Sequence, residues 1–218
     1  MSKEYKGCFI TIEGGDGSGK STLTEKLAQE FTSRGYTIVK TREPGGTPLS
    51  EKIRHLVLNP NTDFTICDRS ELLLYLASRL QHIEEIIVPA LREGKVVICE
   101  RFNDSTIVYQ GCARHLGMSY VEELCALACN GLATPDRTLY LDLDPEIGLH
   151  RIKSQSDREL DRLELEKLQF HKQVRQGYLQ LADKHPERIT IIDAGQPQED
   201  VYKAALQAVE LFKLKNPS

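Results

Sequence analysis

Four glycines, an acid, two serines and a lysine make up the run Gly14-Gly15-Asp16-Gly17-Ser18-Gly19-Lys20-Ser21, directly behind the apolar residues 8–12. Positions without a Cβ let successive backbone N–H groups converge on one anion, and a helix opening at Lys20 adds its positive dipole end. The pattern Gly-x4-Gly-Lys-Ser between a strand and a helix is the phosphate-binding P-loop. Lys20 is therefore expected at the β- and γ-phosphates of a nucleotide, and Ser21 on Mg2+. A glycine-rich turn without a ligand is the alternative, and the strand-to-helix context argues against it.

A second reactive pair closes the run Lys95-Val96-Val97-Ile98-Cys99-Glu100-Arg101. An acid and an arginine at the carboxyl end of a buried strand stand at the edge where open α/β sheets bind ligands. Glu100 is expected to hold Mg2+, directly or through water, and Arg101 to clamp a phosphoryl group. A strand-end salt bridge is the plainer reading of the same pair. The loop Thr41-Arg42-Glu43-Pro44-Gly45-Gly46-Thr47 reads, by itself, as a turn. Lys153 to Arg162 has Leu160 as its sole apolar residue, too little to bury, and reads as a mobile surface flap.

These groups must be carried by elements. Apolar runs at residues 8–12, 37–40, 95–99, 138–143 and 189–193 alternate with long helical segments. That alternation predicts an α/β protein built on a five-stranded parallel sheet. Phe170, Val174, Tyr178 and Leu181 form one apolar stripe at helical spacing, and Val201, Ala204, Ala205, Ala208, Val209 and Phe212 another. Both stripes are expected to face the core, with no chemistry implied.

At 218 residues the chain suits one domain, 1–218, with a lid at about residues 153–164. A net charge of -4 gives no general basic footprint for nucleic acid. No apolar run is long enough for a bilayer, and the first six residues lack a signal core, so a cytoplasmic protein with no membrane partner is expected. Six cysteines without a Cys-x-x-Cys pair suggest reduced thiols rather than a disulfide or zinc framework.

Four segments together resemble the thymidylate kinase family: the P-loop, the Arg-Glu-Pro-Gly-Gly-Thr loop, Glu100-Arg101 followed by Asp104-Ser105-Thr106-x-x-Tyr109-Gln110-Gly111, and Leu160-Asp161-Arg162. Residues 42–47 and 105–111 are the most specific of them. The resemblance implies a three-layer P-loop NTPase fold, transfer of the γ-phosphoryl of ATP to dTMP with Mg2+ in dTTP synthesis, and a homodimer. It also implies that ATP is bound by Gly14, Gly15, Asp16, Gly17, Ser18, Gly19, Lys20, Ser21, Thr22 and Arg151. On the acceptor side, Tyr75 matches the ring that stacks on thymine and Arg79 the donor to a thymine carbonyl. Their spacing of four puts both on one helical face. Thr106 and Gln110 match positions that read the base edge, and an amide suits N3–H beside a carbonyl. Tyr109 matches the residue that crowds the sugar 2′ position. Arg54 and Arg101 match arginines on the acceptor phosphate, and Glu43, Pro44 and Ser105 complete that pocket.

Two departures from part of the family matter. Gly17 stands where one class of these kinases has an arginine, so the cation that stabilises the transferring phosphoryl must come from elsewhere. Arg158, with Arg162 four residues on, resembles the lid arginines of the bacterial class. A solvated charged face is the alternative reading of that segment. Glu100 stands where many members have Asp, which leaves direct and water-mediated contact with Mg2+ both open. The competing functions are a kinase for another nucleoside monophosphate and a nucleotide-binding protein without activity. A GTP switch would need an Asn-Lys-x-Asp motif, which the chain lacks.

Overall fold

The computed structural model describes residues 5–154 and 159–210. Its centre is one parallel sheet of β1 (Cys8–Gly14), β2 (Ile38–Arg42), β3 (Val96–Glu100), β4 (Arg137–Asp142) and β5 (Ile189–Asp193), in the order β2-β3-β1-β4-β5. Every strand lies within two residues of its apolar run. β1 is buried at all seven positions because helices cover both of its faces, whereas edge strand β2 has no fully buried residue. The register sets Ile12 beside Glu100 and Arg42 beside Glu100, so β1, β2 and β3 end together.

Helices form the outer layers. α1 (Lys20–Ser33) and α9 (Gln198–Glu210) cover one face through Leu23, Leu27, Phe31, Ala205, Ala208 and Val209. The other face carries α2 (Pro48–Leu58), α3 (Asp68–His82), α4 (Val88–Arg92), α5 (Asn103–Thr106), α6 (Met118–Cys129) and α8 (Leu168–Lys184), while α7 (Pro145–Lys153) follows β4. The α8 stripe is buried as expected. In α9, Ala204 is exposed, because the core takes the narrower face of Ala205, Ala208 and Val209, with Val201 half-buried against it; Phe212 lies outside the described residues.

Local chemistry explains the helix starts that matter. Thr47 caps α2 by accepting from the Ser50 N–H at 3.2 Å, with Pro48 opening the first turn. Asp144 does the same for α7, accepting from Glu146 at 2.8 Å. α1 has no side-chain cap: Gly19, at φ 90°, leads straight into it, as a helix end that serves an anion requires. Gly17 and Gly148 meet so closely that a Cβ on Gly17 would sit 2.3 Å from the Gly148 carbonyl oxygen. That contact explains why an arginine cannot stand at position 17 with α7 in this place.

Two helical stretches are wound wider than an α-helix, with π-type turns over Ile83–Ile87 and Ile107–Ala113. Such turns recur at functional sites. The second carries Tyr109 and Gln110.

Candidate active site

A single cavity of about 750 Å³ runs along the carboxyl ends of β1 and β3, from Arg151 over the P-loop to Tyr75, Arg79 and Gln110. At the P-loop end, residues Asp16 to Leu23 form its wall, Thr22 included. Gly14 and Gly15, expected as nucleotide contacts, lie beneath: their carbonyls accept from the Lys20 ammonium at 3.1 and 2.7 Å. Burial, and after it the Arg101 charge, lowers the Lys20 pKa to about 8. The Ser18 hydroxyl donates to the Gly15 carbonyl and so tightens the loop. Arg151 on α7 reaches across the cavity edge toward the carbonyls of Gly17 and Ala194, each at 3.4 Å.

The β3 pair splits its work. Glu100 accepts from the Ser21 hydroxyl at 2.8 Å. Arg101 adopts φ 63°, a left-handed conformation that costs a non-glycine residue about 1–3 kcal/mol. The turn is held by its N–H to the Ile12 carbonyl at 2.9 Å. It aims the guanidinium back at the P-loop, where it donates to the Gly14 carbonyl at 3.0 Å, pairs with Asp16 and lies 5.0 Å over the Tyr109 ring. The alternative reading of the pair as a strand-end salt bridge does not include this reversal, which turns Arg101 to Asp16.

Beyond the P-loop the cavity is lined by buried side chains. Tyr75 is 8% exposed and its hydroxyl has no hydrogen-bond partner among the described residues; burial pushes that hydroxyl's pKa up. Arg79, 2% exposed, donates from Nε to Glu43 at 2.7 Å and from Nη2 to the Thr106 hydroxyl at 2.9 Å. Glu43 lines the cavity, yet both its oxygens are engaged: one on Arg79, the other on His82 Nδ1 at 2.9 Å. Thr106 is likewise tied to Arg79. Gln110 donates from Nε2 to Glu71 at 2.8 Å. Arg54 donates to the Pro44 carbonyl at 3.0 Å, at the open side of the same pocket. Ser105 donates to Glu13 at 2.6 Å and meets the Tyr178 hydroxyl at 2.7 Å.

Of the flap, Arg158 lies outside the described residues. Arg162 is described and does not face the P-loop. Its Nε donates to the Val57 carbonyl at 2.9 Å, and Nη2 pairs with Glu71. Asp161, Leu163 and Glu164 from the same segment line the cavity.

Four polar groups that sequence reasoning passed over hold this arrangement. Glu13 is fully buried at the end of β1, accepts the Phe102 N–H at 2.7 Å, and has its pKa raised to about 7 by burial first and by Asp104 second. Tyr178 was expected to be core alone, but its hydroxyl donates to Glu13 at 2.9 Å. His82 links Glu43 to the Thr41 hydroxyl, 2.6 Å away. Glu71 is fully buried one helical turn before Tyr75, so residues 71, 75 and 79 share one face of α3. That four-residue repeat of acid, tyrosine and arginine was the one available signal.

The family described as Thymidylate kinase matches residues 12–205. The chain is 50% identical over 214 residues to the thymidylate kinase of Protochlamydia amoebophila, covering 96% of this chain and 95% of that one. It is 48% identical over 198 residues to the thymidylate kinase of Clostridium novyi, covering 91% and 96%. The crystal structure of thymidylate kinase from Ehrlichia chaffeensis superposes with a TM-score of 0.74 at 34% identity, covering 94% of this chain and 98% of that one.

Proposed function

The chain belongs to the thymidylate kinase family, and from that premise we propose that its cavity seats ATP over the P-loop and dTMP against Tyr75, with the two phosphate chains meeting between Lys20 and Arg101. The chain phosphorylates dTMP to dTDP. One observation carries the division of the site: a single cavity joins the P-loop to a buried aromatic, guanidinium and amide.

The acceptor is a phosphate monoester, largely dianionic near neutral pH because its second ionisation lies near pH 6, so its attack needs no general base. Catalysis reduces to holding two repelling anions in line and neutralising charge. The P-loop N–H groups and Lys20 hold the ATP phosphates, with Thr22 beside them and Arg151 at the nucleoside. Arg101 and Arg54 hold the acceptor phosphate. Ser21 and Glu100 are two hard oxygen donors 2.8 Å apart, a set that suits Mg2+ when phosphate oxygens and water complete the shell. The ion supplies charge neutralisation at the phosphoryl oxygens. Tyr109 crowds the sugar, and the segment at about residues 153–164 serves as the lid, with Arg158 as its transition-state cation.

The base is read by Arg79 as donor to the C4 carbonyl and by Gln110 as acceptor from N3–H, with Tyr75 stacked on the ring. Cytosine offers an amino group and a bare N3 at those two atoms, leaving buried groups unpaired at about 1–3 kcal/mol each. Uracil lacks only the methyl group, worth roughly 1 kcal/mol or somewhat more. Steady-state transfer from ATP should thus rank dTMP above dUMP and both far above dCMP, and Arg79→Ala should compress the ranking. Equal use of dCMP and dTMP by the unaltered enzyme would refute the assignment.

A homodimer is supported by three neighbouring helices. α2, α3 and α6 each expose a hydrophobic pair seven residues apart: Leu49 and Leu56, Leu73 and Leu80, Tyr120 and Leu127. Two turns separate each pair, so each helix presents one apolar stripe, and exposed apolar stripes on packed neighbouring helices are what an interface would cover. No helix among the described residues is long and apolar enough to cross a membrane, and all six cysteines are free thiols, in keeping with a cytoplasmic enzyme.

A further inference from the structure

Gln110 can read a base in either of two ways, and its own chemistry does not choose. A side-chain amide presents a carbonyl on one side and an NH2 on the other; a half-turn exchanges an acceptor for a donor. With the carbonyl inward the site takes N3–H, and with the NH2 inward it takes the bare N3 of cytosine. Something must hold the amide one way round.

Glu71 is fully buried and divides its two oxygens among three partners. Its Oε1 accepts from Gln110 Nε2 at 2.8 Å and its Oε2 is paired with Arg162, while Arg114 Nε stands 3.5 Å from Oε1. A carboxylate set between two guanidinium groups accepts hydrogen bonds and has no proton to donate. The Gln110 NH2 must therefore face Glu71, which turns its carbonyl the other way. We infer that Glu71 is a positioning residue for base specificity: it locks the Gln110 amide so that the site accepts a protonated N3 and refuses cytosine. This rests on Gln110 as the reader of the base edge.

The test is Glu71→Gln. The new amide must keep its oxygen on Arg162, so its NH2 meets Gln110; Gln110 then gives up its carbonyl to that NH2 and offers its own NH2 to the base. The ratio of kcat/KM for dTMP over dCMP should fall by about tenfold or more. The loss with dTMP should lie mainly in KM, and kcat/KM for dCMP should rise. A merely structural lesion would lower both substrates alike, and that result would overturn the inference. Gln110→Met removes both faces of the amide and should collapse the ratio by itself, and adding Glu71→Gln to it should change the ratio no further. If Gln110→Met left the ratio intact, the base-reading assignment would fall and the inference with it. A collapse in Gln110→Met with an unchanged ratio in Glu71→Gln would overturn the inference alone. Should Glu71→Gln not fold, Glu71→Asp keeps the charge for both arginines and draws the oxygen back from Gln110. Its ratio should fall partway, and a folded Glu71→Asp with the original ratio would equally overturn the inference.

Discussion

The Ser21 hydroxyl on the first turn of α1 and the Glu100 carboxylate at the end of β3 are in direct contact at 2.8 Å, although 79 residues apart in the chain. The parallel register of β1 with β3 brings them together, since Ile12 and Glu100 are Cα partners. Both are oxygen donors at the P-loop end of the cavity. Glu100→Ala should therefore raise the Mg2+ concentration that gives half-maximal velocity by about tenfold or more, with the dTMP KM little altered. A Mg2+ titration of turnover at saturating nucleotides checks this, and an unshifted titration curve would remove Glu100 from the metal site.

Lys20 links the same region to pH. Burial, then Arg101, holds its folded pKa near 8, below its ordinary value of 10.5, so the ammonium is charged below about pH 8 and is lost above it. Only the charged form attracts the ATP phosphates. The KM for ATP should accordingly climb as pH rises through about 8, whereas thermal stability should not fall across that range on this group's account. Lys20→Ala should abolish the pH dependence of ATP binding together with most of the turnover, at an unchanged circular dichroism spectrum. Near-wild-type turnover in that variant would sink the role given to the lysine.

The P-loop end was legible in the sequence and the buried polar end was not. Gly17, Gly19, Lys20 and Ser21 sit next to one another in the chain, so their chemistry shows in the order of residues. Glu13, Ser105 and Tyr178 are joined over 92 and 165 residues, and nothing local marks any of them as partners. The spacing of Glu71 before Tyr75 and Arg79 does not by itself show its burial, because burying a carboxylate is justified only by Arg114, Arg162 and Gln110, which arrive from other elements. Arg101 was legible as a strand-end cation, but its left-handed φ was not, since it follows from the hydrogen bonds that the Arg101 N–H donates to the Ile12 carbonyl and the Phe102 N–H donates to Glu13. The pairing of Arg162 was hidden for the same reason: a flap arginine reads as free until the acid it binds is known.

Glu13 should make stability depend on pH in the direction opposite to most carboxylates. Its folded pKa is raised from 4.5 to about 7, by burial and then by Asp104. Below about pH 4.5 it is protonated in both states and its contribution is fully present; as pH rises toward 7 the unfolded state ionises first and that contribution is lost, on the order of 2–3 kcal/mol. Glu13→Gln can still accept from Phe102 and donate to Ser105 or Tyr178. Melting temperatures between pH 5 and 8 should decline for the wild type and decline less for the variant. Parallel profiles would show that Glu13 is ionised throughout.

The exposed stripes on α2, α3 and α6 give a direct test of assembly. Leu73 is 60% exposed and Leu127 75% exposed, neither lines the cavity, and a charge costs little at such a position in a monomer. The wild type should run as a dimer in light scattering, and Leu73→Asp with Leu127→Asp should run as a monomer of unchanged helicity. A wild-type monomer, or a dimer indifferent to both changes, would place the interface elsewhere.

Arg162 is committed to Glu71 and the Val57 carbonyl, in keeping with the proposal that Arg158 supplies the cation that Gly17 cannot. The two arginines should then fail differently. A group that contacts the phosphoryl mainly in the transition state lowers kcat and leaves the acceptor KM alone, so Arg158→Ala should cut kcat by about 100-fold, the scale of one lost charge-stabilising donor. Arg162→Ala instead frees Glu71 beside Gln110 and should act chiefly on the dTMP KM, with kcat changed by only about twofold to threefold. Measuring both parameters for both variants at saturating ATP separates the roles. A large kcat loss in Arg162→Ala with none in Arg158→Ala would mean that Arg162 leaves Glu71 during turnover and reaches the phosphoryl, and the lid role would move four residues along the chain.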